Sequence, residues 1–233
     1  QMDINADGNM EFIYLRSSKI QVCENTGDSA WQKIYIINEF SSDIITDFAF
    51  GDVNDDGFDD IIYSPYSGIK KIRVLINPTD NSSNWEEIIL TEEARTVIGV
   101  FDINTDGWND IIYEDVTTHI NYYKNNSGEF TESVLIYNPT YTLTLFKTAD
   151  IDLDGDIDIV GHFNSTGTLF FKNQGDGTVN TTIISSDFYE HQLAVDGFDG
   201  DGYLDVMIRY SASIKIALFD LLSGEYDTPV GLG

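Results

Sequence analysis

The chain has 233 residues, with 40 acidic side chains against 12 lysines and arginines and a formal net charge of −28. A surface that negative repels nucleic acid and anionic membrane, which argues against both as partners. A hydrophobic share of 42% with 4 prolines belongs to a globular chain rather than a linker, and a core of this size needs no disulfide staples.

In chain order, "DINADGNME" from Asp3 runs into the apolar strand "FIYL", and a second strand, "KIQVCEN", ends at Asn25. Cys23, the single cysteine, sits in that alternation as a small core hydrophobe, so there is neither an internal disulfide nor a zinc–cysteine site. "WQKIYII" reads as a third strand, and "ITDFAFG" leads into "DVNDDGFDD" from Asp52. The pattern returns as "DINTDGWND" from Asp102, "DIDLDGDID" from Asp150 and "GFDGDGYLD" from Gly197. Each motif precedes an apolar run: "DIIY", "DIIY", "DIVG" and "DVMI" after the first. Second strands end near Asn77, Asn125, Asn173 and Asp220; third strands open with "WEEIIL", "FTESVLIY", "VNTTII" and "YDTPVGL".

Start-to-start separations are 49, 50, 48 and 47 residues. A fixed period of that length with four short strands, separated by Gly, Asn and Ser turns, predicts blades of a β-propeller. The expected fold is therefore all-β: one domain over residues 1–233, five four-stranded antiparallel blades. Blade 1 has no room for a strand before Asp3, and "TPVGLG" resembles the strands that precede the other motifs. The C-terminal strand is thus expected to complete blade 1 and close the ring. The short span from Asp220 through Gly233 and on to Asp3 implies trimmed loops in blade 5 or residues lost at a terminus, with a fragment of a larger ring as the alternative.

Counted from each motif's first residue, positions 1, 3, 5 and 9 carry oxygen side chains. They are Asp3, Asn5, Asp7 and Glu11; Asp52, Asn54, Asp56 and Asp60; Asp102, Asn104, Asp106 and Asp110; and Asp150, Asp152, Asp154 and Asp158. Glycine holds position 6 in all copies. Alternating oxygens on a loop that turns sharply at glycine converge on one point, and Ca²⁺ suits six or more irregular oxygen ligands better than Mg²⁺ does. Position 7 varies (Asn9, Phe58, Trp108, Asp156, Tyr203), as expected of a residue lending only its carbonyl. Good turn chemistry alone explains an Asp-Gly pair, but not four oxygen positions kept through four copies. In copy five Gly197 holds position 1 and Asp196 is displaced by one, while Asp199, Asp201 and Asp205 remain; its site is weak, bulged or lost. Four to five Ca²⁺ sites are expected.

An EF-hand needs glutamate at position 12 and flanking helices, and neither is present. The loops instead resemble those of the FG-GAP/VCBS repeat family, known from integrin α-subunit propellers and many secreted proteins. The segments "KNQGDGT" and "ENTGDSAW" resemble that family's turn before the last strand. The resemblance implies calcium loops on one face and ligand binding on the opposite face. Here that face would include Arg16, Tyr66, His119, Tyr141, His162, Asn164, His191, Arg209 and Tyr210. Their aromatic and polar character suits stacking on a glycan or gripping an extracellular protein.

No run approaches the length of a membrane span and no signal peptide is visible, while the start at Gln1 implies that something upstream was removed. Calcium modules of millimolar-calcium compartments bind at about 10⁻⁴ to 10⁻³ M, which points to secretion. Sequons at Asn81, Asn125, Asn164 and Asn180 add weak support. No nucleophile motif or H-E-x-x-H occurs, so a lectin-like or adhesion module is favoured over an enzyme. The alternatives are a polysaccharide-processing enzyme (lyase-like) or its accessory domain, using His119, His162, Arg209 and Tyr210, and a purely structural or calcium-sequestering acidic protein.

Overall fold

The computed structural model describes residues 4, 7–15, 19–27, 31–39, 45–65, 70–79, 84–187, 190–210, 213–220, 225–227 and 229–232. Among these residues the structure is all-β, and no helix is long and apolar enough to cross a membrane.

Strands β1 (Phe12–Leu15), β2 (Lys19–Asn25) and β3 (Trp31–Glu39) form a three-stranded sheet. A seven-stranded sheet follows, built in chain order from β4 (Ile45–Gly51), β5 (Asp60–Pro65), β6 (Lys71–Ile76), β7 (Glu86–Phe101), β8 (Asp110–Asp115), β9 (Ile120–Asn126) and β10 (Glu129–Tyr137). The long β7 serves two groups of four: its first half pairs with β6 up to Glu93, and Ala94–Phe101 pair with β8. β11 (Leu143–Ala149), β12 (Asp158–Phe163), β13 (Gly167–Asn173) and β14 (Val179–Ser185) make a four-stranded sheet. β15 (Glu190–Asp196), β16 (Asp205–Tyr210) and β17 (Ile214–Ala217) precede a short hairpin, β18 (Phe219–Asp220) with β19 (Glu225–Tyr226), and β20 (Val230–Leu232). From the second copy on, the acidic motif joins the strand before it to the strand after it, as Gly51↔Asp60, Phe101↔Asp110, Ala149↔Asp158 and Asp196↔Asp205 pair antiparallel across it.

The C-terminal strand corrects one expectation. β20 pairs with β17 (Ile214↔Leu232, Lys215↔Gly231, Ile216↔Val230), at the edge of the fifth repeat's own sheet, rather than with the strands of the first repeat. The hairpin β18–β19 returns the chain to the free edge of β17, and a nearby edge costs little loop entropy.

The chain divides into two compact units, Gln1–Phe101 with Trp108–Leu135, and Asp102–Gly107 with Ile136–Gly233. Within the first unit the central strands are buried on both faces, which explains their unbroken apolar runs. Ile61 and Tyr63 of β5 pack with Ile13, Ile20 and Val22 of the first repeat, while Ile62 turns to Ile111 and Tyr113 of the third. In the second unit Val160 and Phe170 of one sheet pack against Val206, Ile208 and Phe219 of the next. Alternate side chains of one strand therefore feed two cores, each shared by consecutive repeats. Cys23 is a free, half-buried thiol.

Candidate metal centre

Glycine at position 6 is required by the backbone: Gly57, Gly107, Gly155 and Gly202 have φ of 86°, 91°, 99° and 102°. Position 4 is left-handed as well, at Asp55, Thr105, Leu153 and Gly200. Two left-handed residues fold the loop back on its first carboxylate. Asp52 Oδ1 accepts the amides of Asn54 and Asp56, each at 3.2 Å, and its Oδ2 accepts that of Gly57 at 2.7 Å. Asp102 repeats the arrangement with Asn104 (3.3 Å), Asp106 (3.2 Å) and Gly107 (2.7 Å). Asp150 Oδ2 accepts from Gly155 at 3.1 Å. The position-5 carboxylates Asp7, Asp56, Asp154 and Asp201 take the position-7 amides of Asn9, Phe58, Asp156 and Tyr203 at 2.8–3.0 Å. In copy five Gly197 has no side chain to gather the loop amides, and Asp196 Oδ1 instead accepts the Gly197 amide at 2.9 Å.

Position 9 does more than the sequence reading gave it. Asp60 is fully buried; its Oδ2 accepts the Val53 amide at 3.0 Å and its Oδ1 the Asn77 amide at 2.8 Å. Asp158 takes Ile151 (3.1 Å) and Asn173 (2.8 Å), and Asp205 takes Phe198 (2.8 Å) and Phe219 (3.0 Å). Glu11 accepts from Ile4 at 2.8 Å, and Asp110 from Asn125 at 2.7 Å. The acid thus ties the start of the loop to the end of the second strand. Burial pushes the Asp60 and Asp158 carboxyls up to about 7, helped by Asp56 and Asp52 in one loop and by Asp152 and Asp154 in the other, and opposed by the amides they accept.

The asparagines at the strand ends have a role that the sequence alone does not assign. Asn125 Nδ2 donates to Asn109 O at 2.9 Å and to Val53 O, in the preceding repeat's loop, at 2.7 Å. Asn77 Nδ2 does the same with Asp59 O (3.2 Å) and Ile4 O (3.0 Å). In the second unit the Gly177 amide donates to Ile103 O at 3.1 Å and Leu204 to Ile151 O at 3.4 Å. The position-2 carbonyls of the first four loops, Ile4, Val53, Ile103 and Ile151, are therefore each held by the next repeat. The signal was the near-constant distance from motif to asparagine.

The fourth loop shows best what such a loop could hold. One oxygen each from Asp150, Asp152 and Asp158 lie within 4.8 Å of one another. Asp150 Oδ1 and Asp152 Oδ1 are buried and accept no hydrogen bond. Oxygens at about 2.3–2.6 Å from a common hard cation would show that spacing, and the cation would satisfy both orphaned atoms. The residues fit Ca²⁺.

The expected opposite-face residues have diverse settings. Arg16 and Tyr66 lie outside the described residues, as do Asp3 and Asn5 of the first motif; His191 and Tyr210 fall on β15 and β16, their side chains undescribed. His119 closes a turn in which Asp115 Oδ1 accepts the amides of Thr117 and His119, with His119 Nδ1 3.3 Å from Asp115 Oδ2. Those hydrogen bonds and the nearby imidazole lower the Asp115 carboxyl, outweighing the opposing effect of burial, the largest single influence. His162 is a buried strand residue, 1% exposed, its Nδ1 3.4 Å from Thr168 Oγ1, rather than a loop residue. Tyr141 is exposed, and Arg209 Nη1 donates to Gln192 Oε1 at 3.1 Å. Of the sequons, Asn164 and Asn180 are exposed, Asn81 lies outside the described residues, and Asn125 is fully buried with its amide engaged.

Repeated acidic loops between antiparallel strands, four of them clasped by the following repeat, define an all-β repeat protein. The chain belongs to the FG-GAP-like repeat family, whose model matches residues 3–63 and 102–161. Among solved structures, a chain of the Photorhabdus luminescens Tc holotoxin pore is similar over 100% of this chain, at 17% identity and a TM-score of 0.50. This chain spans 12% of that one, and the likeness concerns the fold alone. No curated protein matches the chain.

Proposed function

We propose that the protein is a calcium-stabilised, five-bladed β-propeller that acts outside the cell as a binding module for a glycan or an extracellular protein. The calcium reading is carried by the buried, unpartnered Asp150 Oδ1 and Asp152 Oδ1 beside Asp158. Four to five loops would take the ion, through the side chains at positions 1, 3, 5 and 9 and the carbonyl at position 7. Position 9 accepts backbone amides and keeps lone pairs for a cation, so its structural and ligating roles are compatible. Bound Ca²⁺ would offset the repulsion among the loop carboxylates. Each site occupied at ten times its dissociation constant adds about 1.4 kcal/mol.

Recognition rather than catalysis is the reading for the remainder of the surface. His162 is buried and His119 is engaged by its own turn, whereas Tyr141 and Arg209 are exposed. Calcium titration calorimetry tests the first half, with saturable uptake of several ions expected; no uptake overturns it. A glycan array with and without EDTA tests the second. Binding lost in EDTA supports a calcium-stabilised lectin, and an array without hits in either condition removes the glycan reading.

A further inference from the structure

The fourth loop already carries a cation of its own. Lys172, the last residue before Asn173 on β13, places Nζ in contact with Asp152 Oδ2 and 3.1 Å from Asp154 Oδ2. These are positions 3 and 5 of the loop, and Asp152 is also one of the three carboxylates that converge on a common point. Its side chain is 6% exposed, so the ammonium reaches a group largely withdrawn from water. The Asn77 and Asn173 amides, each on its own position-9 acid, align the second and fourth repeats residue for residue. Ile76 then stands where Lys172 does. The second loop, built on Asp52, Asn54 and Asp56, has no such lysine at this position.

We propose that Lys172 is a tethered counter-ion that competes with Ca²⁺ for Asp152 and Asp154, weakening the fourth site relative to the second and holding its loop together when calcium is scarce. This inference rests on the calcium reading above. On the calcium reading the ion takes Asp152 Oδ1 while Nζ holds Oδ2 of the same carboxylate and Oδ2 of Asp154, so the ammonium and the divalent cation repel at close range and ion binding favours the departure of Nζ. Its side chain is 32% exposed, and its aliphatic stem can carry the charge out to solvent. Breaking the pair subtracts from the binding energy of the ion. Losing the lysine removes that cost but leaves the calcium-free loop with unneutralised, mutually repelling carboxylates. Two loops of nearly the same ligand chemistry would thereby respond to different calcium concentrations.

The test compares the full chain with Lys172→Met and Lys172→Arg by calcium calorimetry and by thermal melts in EDTA. In Lys172→Met one site is expected to tighten by about fivefold, the scale of a partly exposed ion pair, while the calcium-free melting temperature falls. Lys172→Arg, which keeps the charge, should stay close to the native chain in both measurements. Because the side chain is partly exposed, Lys172→Gln serves the same purpose should the methionine variant not fold. Calcium uptake with the same affinities in native and Lys172→Met chains overturns the role of Lys172 and leaves the calcium reading standing. No uptake by either chain, with both folded, overturns the calcium reading itself.

Discussion

Asn125 Nδ2 donates to Val53 O across 72 positions of sequence, at 2.7 Å. The bond joins the strand end of the third repeat to the loop of the second, and both residues are buried. It makes the acidic loop part of a clasp between repeats as well as a candidate ion site.

That clasp predicts a cost for Asn125→Ala. The change leaves the carbonyls of Val53 and Asn109 and the amide of Gly128 without their side-chain partner. Unsatisfied buried groups cost roughly 1–3 kcal/mol each, partly relieved by relaxation and water, so a fall in melting temperature of about 5–10 °C is expected in a thermal melt.

The same burial makes Asn125 a silent sequon. Secretion from a glycosylating host should give glycan on Asn164 or Asn180 and none on Asn125 in the folded protein, as read by peptide mass spectrometry.

The pH dependence follows from Asp60 and Asp158, whose carboxyls are pushed up to about 7 from 3.8. The folded chain holds these protons more tightly than the unfolded chain. The stability they contribute is complete below about pH 4 and is lost as pH rises toward 7. In EDTA the melting temperature should therefore fall between pH 5 and pH 7.5. A nearby divalent cation favours the ionised carboxylates, so saturating calcium should flatten or reverse that slope. Asp60→Asn removes one of the two groups and should make the EDTA slope shallower, while lowering stability at pH 5 through loss of an acceptor for Val53 or Asn77.

Calcium removal should itself be visible. At neutral pH, EDTA is expected to lower the melting temperature by several degrees, and an unchanged transition would count heavily against structural sites.

Two glycines separate backbone strain from steric overlap. A Cβ on Gly57 would meet nothing within 4 Å, so Gly57→Ala should cost only the left-handed backbone penalty, about 1–2 kcal/mol. A Cβ on Gly167 would overlap the Ser185 carbonyl oxygen and pry β13 from β14, so Gly167→Ala should unfold the chain at markedly lower temperature.

The strands and loops were legible because their causes are local. "DIIY" after Asp-Gly turns is apolar at consecutive positions because β5 and β8 are buried on both faces, and positive φ at Gly57 and Gly107 follows from a turn that disfavours a Cβ. The role of position 9 was only half legible. An acid before a strand signals a ligand, but its hydrogen bonds to Val53 and Asn77 depend on which amides the sheet brings to it. His162 looked like a loop residue because it lies just before the turn, yet β12 carries it into the interior.

The sequence by itself determined the period, the all-β character and the oxygen-bearing positions of the loops, since each depends on residues within a few positions of one another. The tertiary structure alone decided that β20 joins β17, that Asn125 reaches Val53, and that Lys172 lies against Asp152 and Asp154. Those pairings depend on which free edge, carbonyl or carboxylate packing brings within reach, and packing is a property of the whole repeat and its neighbours.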